Sequence, residues 1–290
     1  MAIILSGKEV TATLNESLLH RVEILRENGI EPCLAIVRLG EEPGDIAYER
    51  GAMKRAEKIG VTVRQFVLPR EADQESLLAV IGEINKEPSI HGALLLRPFP
   101  AQIDDQTVRN ALLPEKDMDG ITDGSLAGVF TSTPLGYAPC TAEACMAVLD
   151  HYGIDPARMR TTVIGRSLVI GKPVAMMLLK RNATVTICHT RTKDMGREIR
   201  RAELVIAAAG QPKMVTADML SEGQIVIDVG VNMSEDGKLC GDVDYASAEP
   251  VVDAITPVPG GVGTVTSSIL MRHVIESAER KLLYGKRKNE

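Results

Sequence analysis

The stretch VIGRSLVIGKPVAMMLL, residues 163–179, predicts a strand, a glycine turn and a helix. An apolar run ends at Gly165, and a second glycine, Gly171, opens a segment of helical composition with Lys172 and Pro173 in its first turn. Strand, glycine turn and helix in this order build parallel sheets. Glycine lets the main chain come close to a pyrophosphate, and free amides with the helix dipole favour the anion. The spacing departs from G-x-G-x-x-G, so the pattern fits a purely structural turn as well as a nucleotide site.

Short apolar runs alternate with amphipathic segments on both sides of this stretch. Upstream they comprise CLAIVRLG from Cys33, a helix ending near Gly60, TVRQFVLP, a helix over 74–86 and GALLLRPFP. Downstream come ATVTICH, a short helix near 194–201, LVIAAAG and QIVIDVG, whose nearly continuous apolar character is typical of strands covered on both faces. The alternation predicts an α/β fold with two α/β domains, the second a Rossmann-like parallel sheet.

Helix signals separate the two series. Thr141 is predicted to be the N-cap of a helix that ends at Gly153, and a last helix runs from about Thr266 after a Pro/Gly-rich turn. The boundary between the series lies near residue 138.

Bulk composition narrows the class of protein. A net charge of −6 argues against a general nucleic-acid binder, because phosphate neutralisation requires a basic face. Only four apolar residues in a row precede Ser6, too few for a signal peptide or a membrane span, so a cytoplasmic protein is expected. Five cysteines without a C-x-x-C pair or zinc-ligand spacing predict reduced, mostly buried thiols and no metal site.

The strand end after the glycine turn bears on the choice of cofactor. In CHTRTKD, residues 188–190 offer no carboxylate where one would hold a ribose 2′-hydroxyl. Arg166, Thr190 and Arg191 suit a 2′-phosphate instead, so NADP is favoured over NAD, although either arginine also fits a solvated surface. His189 has no partner from a known catalytic motif and is assigned a structural role.

Three other loops carry acidic or glycine-rich motifs. Asp228 caps its loop or touches a ligand, with the cap favoured, and Gly230 is expected to take an unusual backbone angle. Asp117 and Asp119 share the loop PEKDMDG, where paired acids are usually solvated or capping. The run TPVPGGVG, residues 256–263, predicts a rigid turn almost without side chains, suited to a flat ligand or to a tight interdomain turn.

Taken in order, these motifs resemble the methylenetetrahydrofolate dehydrogenase/cyclohydrolase family over nearly the whole chain. The resemblance rests on Tyr48 in its helix and on GALLLRPFP, PEKDMDG, PCTAEA, VIGRSLVIGKP, IDVGVN and TPVPGGVGTVT. Each motif is modest alone, whereas their order and spacing together are specific.

The resemblance implies a fold, a reaction and an assembly. The fold would comprise a folate-binding catalytic domain, residues 1–138, completed by the C-terminal helix 265–290, a Rossmann-like NAD(P)-binding domain, residues 139–264, and a cleft between them. The reaction would be NADP-linked oxidation of 5,10-methylenetetrahydrofolate to the methenyl form, often followed by hydrolysis. The chain would form a homodimer and bind no nucleic acid or membrane.

Roles are carried over residue by residue. Tyr48 and Asp119 would be the catalytic residues, with Tyr48 packed against the folate and Asp119 holding its pterin ring. Further substrate contacts fall to Leu96, Pro98, Gly260, Gly261 and Thr266. Cofactor contacts fall to Gly165, Arg166, Ser167, Gly171, Thr190, Arg191 and Val231.

Two departures from the family predict a narrower activity. Bifunctional members carry a lysine four residues after the tyrosine, where this chain has Ala52, and a glutamine where it has Leu96. Hydride departure yields a cation directly and needs positioning against the nicotinamide, whereas hydrolysis of the methenyl product needs proton transfers. The sequence therefore predicts a dehydrogenase-only member that has lost cyclohydrolase activity.

Two alternatives stay open. In the first, Lys54 or Arg97 replaces the lysine, although Lys54 lies about 240° around the helix axis from Tyr48, and adjacent strand residues such as Leu96 and Arg97 point to opposite faces. In the second, the chain is a catalytically silent relative that binds folate or a protein partner. The retained Tyr48, Asp119 and glycine turn argue against silence.

Overall fold

The computed structural model describes residues 2–234 and 236–287, with side chains described up to residue 283. The strands are β1 (Ile3–Ile4), β2 (Cys33–Leu39), β3 (Thr62–Leu68), β4 (Gly92–Leu95), β5 (Arg160–Ile164), β6 (Thr184–Cys188), β7 (Leu204–Ala207), β8 (Ile225–Asp228), β9 (Asn232–Met233), β10 (Leu239–Cys240) and β11 (Ala254–Ile255). The helices are α1 (Gly7–Glu27), α2 (Pro43–Ile59), α3 (Gln74–Lys86), α4 (Asp105–Ala111), α5 (Asp123–Thr131), α6 (Cys140–His151), α7 (Gly171–Lys180), α8 (Met195–Arg200), α9 (Tyr245–Ala248) and α10 (Thr266–Arg287). The chain is an α/β protein, as predicted.

The chain divides into two compact units. The first, called the sheet unit here, combines Met1–Ala12 with Thr141–Thr266, and the second, called the Tyr48 unit, combines Thr13–Cys140 with the helix from Ser267 onward. Residues 1–12 thus belong to the sheet unit, whereas the sequence-based division assigned all of residues 1–138 to the folate-binding catalytic domain. Residues 288–290 of the expected C-terminal segment lie outside the described residues.

A parallel sheet of six strands organises the sheet unit. Its strand order is β1-β11-β8-β7-β5-β6, so β5 has β6 on one side and β7 on the other. In register, Ile164 pairs with both Cys188 and Ala207, and Ala207 pairs with Asp228. The carboxyl ends of four strands therefore meet where the strand order reverses, which is where open α/β sheets bind ligands.

The burial of the strands follows their place in the sheet. Strands β7 and β8 are almost wholly buried, as their apolar sequences predict. Strand β6 contradicts the prediction, because only Cys188 in it is buried. It is an edge strand, with no neighbour beyond it in the described sheet.

The Tyr48 unit is built on a smaller parallel sheet with the order β3-β2-β4. Central strand β2 is nearly all buried, and its alternate side chains pack with α3 in a core that includes Leu77, Ile81 and Ile84. Helix α3 begins where the Asp73 side chain accepts a hydrogen bond from the Ser76 amide. These contacts fix the carboxyl ends of β2 and β4 as the platform for the loops that follow.

Several expectations need correction or addition. Helix α6 begins at Cys140, so Thr141 lies inside the first turn and is not the N-cap; Pro139, with its fixed φ, leads directly into the helix. The long helix α1 was not predicted. The strands β1 and β11 were not predicted either, because two-residue strands carry no periodic signal.

The cysteines and the helices bear on two bulk expectations. The five cysteines, all within the described residues, form no disulfide, and all but Cys240 are buried, as predicted. Across residues 2–234 and 236–287, no helix has the length and apolarity that crossing a bilayer requires.

Candidate active site

The loop from β5 to α7 comes very close to its neighbours. Gly165 has φ of +123°, and a Cβ on it would lie 2.1 Å from the Ala208 carbonyl oxygen. A Cβ on Gly171 would lie 2.3 Å from the Gly165 carbonyl oxygen. Both glycines are therefore required by close backbone approach at the carboxyl ends of the strands, the place the sequence predicted for them.

The amides available to an anion are not the ones expected. Ser167 Oγ accepts from the amides of Ile170 and Gly171 at 3.1 and 3.4 Å, and the Ser167 carbonyl accepts from Lys172 N at 3.0 Å. The start of α7 is thus capped by Ser167. Within the described part of the chain, the amides of 166–169 have no hydrogen-bond partner. These loop amides, beside the Arg166 side chain, fit the phosphates of a dinucleotide.

The turn after β6 is closed on itself. His189 Nδ1 accepts from the Arg191 amide at 3.1 Å, and the His189 amide donates to Thr192 Oγ1 at 2.8 Å. This agrees with the structural role predicted for His189. Thr190 and Arg191 lie on the turn, and no carboxylate stands at residues 188–190.

Two buried carboxylates organise the loops after β7 and β8. Asp242 accepts from the amides of residues 209–211 at 2.6–3.0 Å and from Asn232 Nδ2 at 2.9 Å. Asp228 accepts from the amides of Gly230, Asp242 and Val243, each at 3.0 Å, so it caps its loop, the favoured prediction. Burial raises the pKa of Asp228 to about 6, although these three amides oppose the shift.

The prediction that Gly230 takes an unusual backbone angle was wrong. Its φ is not in the left-handed region, and a Cβ there would lie 2.3 Å from Asp242 Oδ1. Gly230 is required by the packing of Asp242 and not by an unusual angle. The next residue, Val231, is 65% exposed and so is open to a ligand.

In the Tyr48 unit, the loop 117–120 is held from both sides. Asp117 is buried and accepts from the amides of Ile121 and Thr122 at 3.0 and 2.7 Å, so it is a capping residue. The Met118 amide donates to Ala93 O at 3.3 Å, and Gly120 has φ of +65°. The loop therefore presents Asp119 in a fixed position.

Asp119 is half-buried, and its carboxyl interacts with polar groups from distant parts of the chain. Burial raises its pKa to about 6, and the charge of Asp117 acts in the same direction. A hydrogen bond with Cys140 and the charges of His273 and Arg97 oppose the shift. Sequence reasoning missed Cys140 and His273, because nothing local relates them to Asp119.

Tyr48 lies beside this carboxyl. The residue is 41% exposed, yet burial at its hydroxyl raises the pKa, and the charge of Asp119 raises it further. The structure thus brings together the two residues predicted to be catalytic.

The faces of α2 separate the basic residues near Tyr48. Lys54 lines a groove of about 530 Å³ together with Ile46, Glu49, Arg50, Met53, Glu57, Val61 and Val63. Neither Tyr48 nor Ala52, which is 2% exposed, lines that groove. Lys54 therefore points away from Tyr48, as the helix geometry predicts.

Arg55 was overlooked by the sequence reasoning. Seven residues after Tyr48, it returns to within about 20° of it around the helix axis. Its Nε donates to Ser267 Oγ at 3.2 Å, and burial lowers the pKa of its guanidinium. The spacing alone would have found it.

The end of β4 supplies an apolar wall. Leu96 is 5% exposed, and the Arg97–Pro98 peptide bond is cis. Arg97 forms a bidentate ion pair with Asp105, with Nε–Oδ1 at 2.6 Å and Nη2–Oδ2 at 2.5 Å. The guanidinium is thus already engaged.

The glycine turn belongs to the sheet unit. Gly260 has φ of +108°, and a Cβ on Gly261 would lie 2.4 Å from Pro257 O, so the turn is as tight and free of side chains as predicted. Thr264 Oγ1 donates to Gly261 O at 2.8 Å, and Thr266 Oγ1 donates to Gly263 O at 3.1 Å. No group of residues in the described ranges has the composition of a metal site.

Comparison with known proteins places the chain in a family. Residues 5–119 match the model of the tetrahydrofolate dehydrogenase/cyclohydrolase catalytic domain, and residues 139–282 match that of the NAD(P)-binding domain of the same family. A bifunctional protein FolD of Carboxydothermus hydrogenoformans is 46% identical over 281 residues, covering 96% of this chain and 98% of that protein.

Solved structures agree. The bifunctional methylenetetrahydrofolate dehydrogenase/cyclohydrolase FolD of Campylobacter jejuni has a TM-score of 0.95 at 36% identity, covering 97% of this chain and all of that one. The methylenetetrahydrofolate dehydrogenase-cyclohydrolase of Trypanosoma brucei, complexed with NADP and an inhibitor, has a TM-score of 0.90 at 31% identity, covering 97% and 98%. This chain therefore belongs to the tetrahydrofolate dehydrogenase/cyclohydrolase family, as an NAD(P)-dependent methylenetetrahydrofolate dehydrogenase.

Proposed function

We propose that this protein oxidises 5,10-methylenetetrahydrofolate to 5,10-methenyltetrahydrofolate with NADP and does not hydrolyse the product. The observation that carries the proposal is the pair of buried apolar side chains, Ala52 and Leu96, at the positions where a lysine and a glutamine are expected. Tyr48 packs against the folate, and Asp119 accepts hydrogen bonds from the pterin ring. Pro98 and the glycine turn, with Gly260, Gly261 and Thr266, keep the substrate contacts that the resemblance implies.

The chemistry of the two steps explains why these side chains matter. A hydride leaves the bridging carbon under the push of an adjacent nitrogen lone pair, so no proton has to move and the residues only have to position the folate. Hydrolysis adds water to the methenyl carbon and needs groups that accept and donate protons. Methyl and isobutyl side chains can do neither.

The remaining cations nearby do not substitute for the lysine. Lys54 lines the groove on another face of α2, and Arg97 is paired with Asp105. Arg55 shares the Tyr48 face, but an arginine side chain stays protonated and cannot shuttle a proton. These three positions support loss of the cyclohydrolase step over a bifunctional enzyme that uses Lys54 or Arg97.

NADP, when bound, supplies the hydride acceptor of the reaction. The glycines 165 and 171 give its phosphates access to the main chain, and the unpartnered amides of 166–169 donate to them. Arg166, Thr190 and Arg191 hold the 2′-phosphate that distinguishes NADP from NAD, with Ser167 and Val231 completing the contacts. The absence of a carboxylate at residues 188–190 supports this preference.

A paired absorbance assay tests the proposal. The purified protein is mixed with 5,10-methylenetetrahydrofolate and NADP, or NAD in a parallel sample, and reduced cofactor and methenyl product are followed separately. We expect methenyl product to accumulate one for one with reduced cofactor, faster with NADP. Loss of methenyl product faster than in buffer would establish the bifunctional alternative. Tetrahydrofolate binding without turnover would establish the silent relative.

A gain-of-function series sharpens the test. We expect Ala52→Lys with Leu96→Gln to introduce hydrolysis, and more strongly when Arg55→Ala is added, because Arg55 lies three residues from the new lysine and repels its charge. Lys54→Ala is the matched control and should change neither activity. Hydrolysis lost in Lys54→Ala would refute the assignment of that residue to the other face.

We also propose a homodimer in the cytoplasm. The sheet unit exposes apolar side chains on its β9–β10 hairpin, where Met233 and Leu239 are 61% and 49% exposed. Such patches mark protein contacts. Light scattering on a size-exclusion column tests the dimer, with Met233→Glu expected to weaken it. Four buried cysteines outside any disulfide in the described residues support a reducing compartment.

A further inference from the structure

We propose that His273 is a positioning residue of the folate site, which fixes the direction of the Asp119 carboxyl by holding the carbonyl group of Met118. The inference rests on the proposed role of Asp119 in binding the pterin ring. His273 lies on α10, far from Asp119 in sequence, and no sequence motif connects the two.

The geometry centres on the Met118 carbonyl. His273 Nδ1 lies 2.7 Å from this oxygen, and Cys140 Sγ lies 3.2 Å from it. A carbonyl oxygen only accepts, so Nδ1 carries the hydrogen and donates. Because Met118 C=O and Asp119 N–H belong to one rigid peptide plane, the bond that fixes the carbonyl also fixes the orientation of the Asp119 backbone.

The imidazole ring is itself held in place. His273 is 1% exposed, and its ring centroid is 4.9 Å from that of Tyr137 at an interplanar angle of 33°. The Arg280 guanidinium lies over the Tyr137 ring, 4.7 Å from its centroid. With the ring packed, the Nδ1 donor cannot follow a carbonyl that moves, so the contact locks a single loop conformation.

The Cys140 thiol does not compete with this role. Its Sγ lies 3.8 Å from His273 Nδ1, but the Nδ1 hydrogen is directed at Met118 O, which leaves no lone pair there to deprotonate the thiol. The group is therefore no Cys–His nucleophile pair. His273 is therefore the donor that holds the Met118 carbonyl, while Cys140 shares its one thiol hydrogen between that carbonyl and the Asp119 carboxyl.

Three variants separate positioning from general destabilisation. His273→Leu keeps the volume and removes the donor, whereas His273→Asn restores a donor near the site of Nδ1. Ser268→Ala is the matched control, because its buried hydroxyl donates to Asn15 Oδ1 at 2.9 Å on the same helix but away from Met118. KM for 5,10-methylenetetrahydrofolate, KM for NADP, kcat, tetrahydrofolate affinity by calorimetry and Tm are measured for each.

The expected pattern is specific to the folate. His273→Leu should raise KM for the folate and lower tetrahydrofolate affinity, each by about tenfold or more. KM for NADP should stay within about twofold of its value in the unaltered protein. His273→Asn should recover most of the loss, and Ser268→Ala should lower Tm without affecting either folate constant. If His273→Leu does not fold, His273→Met serves as the donor-free variant.

The proposal is overturned if His273→Leu or His273→Met lowers Tm as Ser268→Ala does but leaves the folate constants unchanged. It is also overturned if His273→Asn is as impaired as the donor-free variant. Failure of the proposed function would appear separately, as absent turnover in the unaltered protein, and the calorimetric affinities would still test the role of His273.

Discussion

Replacing Asp119 by asparagine should make the protein more stable at alkaline pH while impairing its function. Asp119 is half-buried, and the loss of solvent around its carboxyl group raises the pKa from the ordinary value of 3.8 to about 6. A displacement of this size corresponds to about 3 kcal/mol at about 1.4 kcal/mol per pKa unit. Ionised Asp119 therefore carries this cost in the folded protein until folate supplies hydrogen-bond donors.

The pH dependence has a definite sign. Because the pKa of Asp119 is raised on folding, the stability that its protonated form contributes is complete below pH 3.8 and is lost as the pH rises through about 6. Asparagine does not titrate. The free energies of unfolding of Asp119→Asn and the unaltered protein should therefore agree at about pH 4 and differ by up to about 3 kcal/mol at about pH 8, with the variant more stable.

Urea unfolding at a series of pH values measures this difference. The chain has no tryptophan, so far-ultraviolet circular dichroism is the suitable signal. Asp117→Asn is the matched control, because Asp117 accepts two backbone hydrogen bonds and its replacement should destabilise the protein by about 1–3 kcal/mol. Parallel pH profiles for Asp119→Asn and the unaltered protein, or a variant less stable at high pH, would refute the reasoning.

Three further predictions concern the sheet unit. Gly165→Ala should destabilise the protein by about 2 kcal/mol or more, measured by urea unfolding, because φ is +123° and the new methyl group would meet a backbone oxygen at 2.1 Å. Arg166→Ala should raise KM for NADP by about tenfold or more and leave KM for NAD nearly unchanged, and equal effects on both would contradict a 2′-phosphate contact. Asp242→Asn should cost about 1–3 kcal/mol, since its amide group would turn donors toward the amides of 209–211. Its KM for cofactor should rise while KM for folate stays the same in the steady-state assay.

The sequence predicted those parts of the fold that depend on local pattern. Strands β7 and β8 could be predicted because runs of four and three apolar residues, nearly all of them buried, leave few alternatives. Strand β6 has a similar composition but lies at the edge of the sheet, and edge position follows from strand order, which no local run of residues encodes.

The candidate site, too, could be predicted only where local motifs identify its residues. Asp119 and Tyr48 could be named from motifs, but the surroundings that give Asp119 its pKa come from Cys140 and His273, which only the tertiary fold brings near. Ser167 shows the limit of motif reasoning on the cofactor side. Its side chain caps α7, so the amides left for an anion are those of the loop and not those of the helix.

The pairing of β1 with β11 has a consequence for how the protein is made. Ile3 and Ile4 leave the ribosome about 250 residues ahead of their partners, Ala254 and Ile255. At a synthesis rate of about 5–20 residues per second, the first strand waits roughly 10–50 s for its neighbour. The Tyr48 unit, most of which is contiguous, can meanwhile bury its β2 core. Completion of the six-stranded sheet is therefore a late event of biogenesis, because it requires the synthesis of β11.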